Sequence, residues 1–130
     1  MTLREELLST ARDVAQHAYC PYSHFRVGAA VLADGKTYVG VNVEISSYGL
    51  TLCAERSALA AAMTAGVSTI THIAVACIDA APDAPLGGRT PCGACRQWIA
   101  DLAPNAVIFI DGVDQEFSIA DLLPCAFGLS

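Results

Sequence analysis

The chain has 130 residues, 54 % of them hydrophobic and only 15 % charged, with a formal net charge of −6; this is the size and composition of one globular domain, residues 1–130. Lys36 is its single lysine and the six arginines form no stripe, so nothing here neutralises a phosphate backbone or an anionic bilayer, and neither nucleic acid nor membrane is an expected partner. An apolar run such as Ala58–Met63 falls far short of the ~20 residues that span a bilayer, and the acidic opening Met1–Glu6 is unlike a signal peptide.

The compartment expected from these features is the cytoplasm. Thiols stay reduced there, so six cysteines argue for metal or reactive-thiol chemistry more than for a disulfide framework. Mean hydropathy is +0.46, and the charged fraction lies well below the usual value of about 25 %. A small domain this apolar is expected to bury part of its surface against copies of itself.

Along the chain, Leu3, Leu7, Ala11, Val14, Ala15 and Ala18 recur at helical spacing and predict a helix over 3–18, barred from continuing by Pro21. Segments 27–33 and 37–44 are rich in Val and Tyr and flank Asp34-Gly35, which predicts a hairpin. An Ala-rich helix is expected over 54–65, with Gly66 just past its end. A buried strand over 72–79 follows, then a loop over 80–91 with three Pro and two Gly. A short helix over 93–102, stopped before Pro104, leads to a strand over 106–110. Strand, helix and strand in that order predict a parallel crossover, giving a mixed sheet covered by helices on both faces.

Three cysteines fall where a loop enters a helix: Cys53 in TLCAER, and Cys92 and Cys95 in TPCGACRQ. Free N–H groups and the positive dipole end at such positions favour the thiolate that a metal needs. If the two helix N-termini converge, three thiolates can surround one Zn²⁺ and leave its fourth position open, the arrangement of a catalytic site. Two other readings exist. CGAC alone could be a redox dithiol, and a structural four-thiolate site would need Cys20, Cys77 or Cys125; none of these sits in a second CxxC pair, and Cys77 reads as an ordinary mid-strand cysteine.

Glu55 lies two residues after Cys53. With Cys53 at the cap, its carboxylate can reach the open side of the metal and move protons as a general acid/base; alternatively it merely favours the first helical turn. Three thiolates on Zn²⁺ sum to a charge of −1. Arg56, and less clearly Arg96, could donate to a sulfur and offset that charge, or could be surface helix residues.

The pair CAE and PCGAC resembles the zinc deaminases, with Cys53 standing where many members carry His. The three-cysteine pattern is similar to the small homotetrameric cytidine deaminases, and the ordered set CPYSHFRVGAAV, GVNVEISSYGLTLCAER, PCGACRQ and LLPCAFGL extends the resemblance over nearly the whole chain. It implies a three-layer α/β/α fold with a mixed sheet of about five strands. It also implies one Zn²⁺ per chain on Cys53, Cys92 and Cys95, with Glu55 as the catalytic acid/base. In the same way Phe25 would pack on the pyrimidine, Asn42 and Glu44 would bind the ribose, the Ala54 N–H would contact the base, and Phe127 would reach a neighbouring subunit's site in a homotetramer. Ile45 and Ser46 depart from the usual N-x-E-N-A-S-Y pattern.

The activity so implied is hydrolytic deamination of cytidine and 2′-deoxycytidine, releasing ammonia, in pyrimidine salvage. A deaminase of modified cytosine nucleosides of the blasticidin S type would use the same motifs. A zinc-binding module without catalysis is the reading of a different class.

Overall fold

The computed structural model describes residues 1–129. Helix α1 (Leu3–Ala15) starts at Thr2, whose hydroxyl accepts from the Glu5 N–H at 3.1 Å, as an N-cap should. It ends three residues before the predicted position. His17 and Ala18 donate to the carbonyls three residues back, tightening the last turn, because the Tyr19 N–H is drawn off to the Asn42 carbonyl.

Strands β1 (Val27–Ala33) and β2 (Lys36–Val41) form the predicted hairpin, with Asp34 and Gly35 both at positive φ in its two-residue turn. The second strand is shorter than expected. At Asn42 the side chain takes over from the backbone: its Oδ1 accepts from the Val27 N–H at 2.9 Å and its Nδ2 donates to the Phe25 carbonyl at 2.8 Å. Val43 turns away to bridge Tyr19 and Leu52.

Helix α2 (Ala54–Thr64) is followed by Gly66 at φ +78. Strand β3 (Ile70–Cys77) begins two residues earlier than predicted because Ile70 still pairs with Ala33, past an irregularity at Leu32/Ala33. A single 3₁₀ turn, Leu86–Gly88, interrupts the loop that follows. Helix α3 (Gly93–Leu102) has the predicted limits, and β4 (Val107–Ile110) starts one residue late. The short helix α4 (Ile119–Leu122), closed by a capping box between Ser118 and Asp121, was not anticipated.

Strand order is β2-β1-β3-β4, antiparallel except for the parallel β3–β4 pair that the crossover through α3 requires. The sheet therefore has four strands among the described residues, not about five. Where a fifth would lie, Phe117 exchanges both backbone bonds with Ile108, and the Ser118 cap then diverts the chain into α4.

Alternate residues of each strand face opposite layers. Ala30, Ala74, Ala76 and Phe109 pack with Leu7, Leu8 and Ala11 of α1. Ala29, Val31, Ile73, Val75, Ile108 and Ile110 pack with Ala58, Leu59 and Ala62 of α2, Ile99 of α3, and Ile119 and Leu122 of α4. Helices thus cover both faces, as predicted, and α2 and α3 share one of them.

Two glycines set how closely the helices approach. A Cβ at Gly28 would lie 2.0 Å from the Ala11 carbonyl oxygen of α1, and one at Gly40 would lie 2.3 Å from the Ala58 nitrogen of α2. Both clashes are with backbone, so each helix must shift. Gly28→Ala and Gly40→Ala should each destabilise the fold by about 2–3 kcal/mol or more in denaturant titrations. Because α2 carries Cys53, only Gly40→Ala should also lower the zinc content of the folded fraction.

Candidate metal centre and adjoining cleft

Cys53 and Cys92 are the N-cap residues of α2 and α3. Both have extended backbones, and neither side chain is spent on capping its own helix. Their sulfurs are free to point to a common place, and they lie 3.8 Å apart. Cys95, one turn into α3 and fully buried, brings a third sulfur 3.6 Å from that of Cys92; all three lie within 4.8 Å of one another. Zn–S bonds of about 2.3 Å at tetrahedral angles put sulfurs about 3.8 Å apart, so the donor set fits a zinc ion without rearrangement.

The sulfurs are electrostatically prepared. The Cys53 thiol is held below its ordinary value, chiefly by the neighbouring Cys95 and then by the Arg56 guanidinium and Cys92, against the effect of burial. Cys95, beside Cys53 and buried, is pushed up in turn. Arg56 donates from one Nη2 to the Cys53 sulfur at 3.2 Å and to the Thr51 carbonyl at 3.0 Å. Arg96 behaves differently: it donates to the Pro91 and Leu122 carbonyls and the Thr90 hydroxyl. It pins the Cys92 loop and α4 to α3 and makes no hydrogen bond to a sulfur.

Beside the thiols lies a cleft of about 260 Å³ lined by Phe25, Asn42, Glu44, Cys53, Ala54, Glu55 and Cys92 among others. Seven of the sequence-selected residues therefore converge, with Cys95 and Arg56 behind them. Glu55 is 4 % exposed. Burial pushes its carboxyl up to about 7, with the Cys53 charge adding to the effect against its own backbone N–H and Arg56. A carboxyl at that value can both take and return a proton near neutrality.

Glu44 is also buried, yet its carboxyl sits below the usual range. Burial would raise it, and the hydroxyl and N–H of Ser23 with the N–H of Tyr22 outweigh that. Ala54 is the first residue of α2 and is buried at the cleft wall. Phe127 is not brought to this cleft. It is 69 % exposed, on a tail whose carbonyl accepts from Gln97 of α3.

Several lining residues escaped the sequence reading. Cys77 is the last residue of β3 rather than mid-strand; it faces the cleft, and burial pushes its thiol up to about 12. Ser23, Tyr48, Thr51, Gly88 and Thr90 also border the space. All but Gly88 stand within the motifs quoted above, and no feature of their residue types singled them out there. A larger groove of about 520 Å³ between α2 and α3 is lined by Ala60, Met63, Thr64, Trp98, Asp101 and Leu102; it holds no thiol and no second carboxylate and offers no comparable chemistry.

Fold and site together define a zinc-binding α/β/α protein of the open-site kind, with three thiolate ligands from two helix N-termini and a buried carboxyl beside them. The chain belongs to the cytidine and deoxycytidylate deaminase zinc-binding family, whose model matches residues 1–111. It is 43 % identical over 128 residues to a probable cytidine deaminase of Dictyostelium discoideum, covering 95 % of this chain and 82 % of that one. It is 42 % identical over 129 residues to the cytidine deaminase of Halalkalibacterium halodurans, covering 95 % and 93 %. The crystal structure of cytidine deaminase from Burkholderia pseudomallei superimposes with a TM-score of 0.84 at 42 % identity, covering 98 % of this chain and all of that one. That from Mycobacterium tuberculosis gives 0.83 at 36 % identity, covering 99 % and 100 %.

Protons compete with zinc for thiolates. The Arg56 guanidinium, 3.2 Å from the Cys53 sulfur, favours its thiolate over the thiol, and removing that charge weakens the preference. Arg56→Gln should therefore release zinc at a pH about one unit higher than the unaltered protein, read as metal per chain after dialysis across pH 4–8. An unchanged release curve would show that the guanidinium does not act on the sulfur.

Proposed function

We propose that the chain is a zinc-dependent hydrolase that deaminates cytidine and 2′-deoxycytidine to uridine and 2′-deoxyuridine with release of ammonia, and that residues 1–130 form one catalytic unit. The observation that carries this reading is the placement of a buried carboxyl, Glu55, in a cleft bordered by Cys53 and Cys92 of the three thiols spaced for zinc. Cytidine deaminases at 42–43 % identity support the choice of substrate.

Zinc held by Cys53, Cys92 and Cys95 would supply a Lewis acid that brings the pKa of a water close to neutrality. Glu55 is placed to hold a proton at its carboxylate, where it would take one from an attacking water and return it to N3 of the cytosine ring as C4 gains oxygen. It then carries the second water proton to the amino group, which leaves C4 as ammonia. Both protons of the water are thereby accounted for, one on N3 of the product and one on ammonia. Phe25 packs on the pyrimidine, the Ala54 N–H meets the base edge, and Asn42 and Glu44 hold the sugar hydroxyls. Each of the last two retains unused capacity: Asn42 has spent one donor and one acceptor on residues 25 and 27, and Glu44 still has an acceptor position on Oε2. Arg56 offsets the thiolate charge.

The working form is a homotetramer in which Phe127 closes a neighbour's cleft. Its exposure, with that of Tyr19, Tyr22, Ile45, Tyr48 and Leu50, leaves apolar surface for such contacts. The setting is the cytoplasm and pyrimidine salvage. Six free cysteines suit a reducing compartment, and no helix among the described residues is long and apolar enough to cross a membrane.

Glu55→Gln should abolish loss of cytidine absorbance, by on the order of 10³-fold or more, while retaining about one zinc per chain. Loss of zinc in that variant would make Glu55 a ligand and end the scheme. Zinc binding without turnover of any cytosine nucleoside by the unaltered protein would favour a non-catalytic module.

Phe127→Ala should raise KM for cytidine far more than it lowers kcat or zinc content. Sedimentation of the intact chain should give a tetramer. A fully active monomer would eliminate the shared cleft.

A further inference from the structure

The segment CPYSHF, prominent in the sequence, is only partly used by the reaction scheme, which takes Phe25 alone from it. In the structure this segment forms a tight turn: the His24 N–H donates to the Cys20 carbonyl, and His24 sits at φ +56. The turn is locked against the 42–44 segment, since Tyr19 donates to Asn42 and Glu44 donates to Tyr19 through their backbones. Into this turn the Glu44 side chain inserts, 2 % exposed. Its Oε1 accepts the N–H groups of Tyr22 and Ser23 at 3.1 and 3.0 Å, and its Oε2 accepts the Ser23 hydroxyl at 2.5 Å.

The Ser23 hydroxyl has one proton, and it goes to Glu44. The same oxygen accepts the Phe25 N–H at 3.1 Å. The Phe25 carbonyl is fixed on its other side by Asn42. One hydroxyl thus joins the carboxylate at one part of the cleft to the backbone of the aromatic at another. It also decides which oxygen of Glu44 keeps a free acceptor direction, because Oε1 is already used twice and Oε2 once.

We propose that Ser23 is a positioning residue for sugar recognition, its hydroxyl aiming Oε2 of Glu44 at the sugar hydroxyls. This rests on the reading above, in which Glu44 meets the sugar and Phe25 the base. A hydrogen bond to a charged group is worth about tenfold or more in binding, and this one acts only on substrates whose sugar carries hydroxyls for Glu44 to receive.

The test is steady-state kinetics of the zinc-loaded enzyme on cytidine and on 2′,3′-dideoxycytidine, whose sugar lacks the ring hydroxyls, with zinc per chain measured for every variant. Ser23→Ala should lower kcat/KM for cytidine by about tenfold or more, mainly through KM, and change dideoxycytidine less than about twofold. Ser23→Cys, close in size with a weak donor, should behave alike if the alanine variant folds poorly, and Ser23→Thr should restore cytidine. Glu44→Gln should show the same substrate pattern, and Ser23→Ala added to it should cost nothing further. Equal loss on both substrates in the Ser23 variants, or additive losses in the double variant, would overturn the proposal. If Glu44→Gln itself treats the two substrates alike, the sugar reading fails and the proposal falls with it. Discrimination lost in Glu44→Gln but kept in Ser23→Ala removes Ser23 alone.

Discussion

Everything at this site depends on two helices that begin at cysteines whose side chains do not cap them. A serine or aspartate at such a position would turn its oxygen back onto the helix N–H groups. Cys53 and Cys92 leave those groups free, and the sulfurs project forward to meet across 39 residues of sequence. Because α2 and α3 lie on the same face of the sheet and pack on the same strands, their N-termini have little freedom to separate. The rigid layer is what lets three weakly acidic thiols, rather than a flexible loop, present a metal-sized gap.

The charge arrangement follows from the same placement. Three thiols close together cannot all ionise cheaply in a half-buried place, and their mutual influence holds Cys53 down and pushes Cys95 up. Arg56, one turn on from Cys53, lies against its sulfur. Glu55, between them in sequence, is turned into the cleft and raised by burial. A sulfur of the three-thiol group, a buried carboxyl and a guanidinium thus come from four consecutive residues, Cys53 to Arg56, because the backbone is extended at the first of them and helical after it.

The opposite wall is built from hydrogen bonds that replace a missing stretch of sheet. β2 stops at Val41, and the side chains of Asn42 and Glu44 then do for the backbone of residues 22–27 what a continuing strand would have done. The bidentate Arg26–Asp79 pair, with the Arg26 N–H on the same carboxylate, ties the start of β1 to the end of β3. The backbone of Phe25 is therefore fixed at its N–H by Ser23 and at its carbonyl by Asn42, although it lies outside regular structure.

What the sequence determined by itself was local. The limits of α3, the Asp34-Gly35 turn, the Gly66 helix end and the placing of Cys53 and Cys92 at helix starts all follow from signals within a few residues, namely periodicity, turn chemistry and caps. The inventory of thiols and a carboxyl beside them was legible for the same reason. Only the tertiary structure decided where distant backbones meet. It stopped β2 at Asn42, reduced a fifth strand to the Phe117–Ile108 bridge, brought Cys77 to the cleft as a strand end, turned Arg96 toward carbonyls instead of sulfurs, and made Ser23 the partner of Glu44. Most of these outcomes depend on which N–H, carbonyl or carboxylate group finds a partner on another segment of the chain, and no periodicity, turn or cap signal in the sequence encodes that encounter.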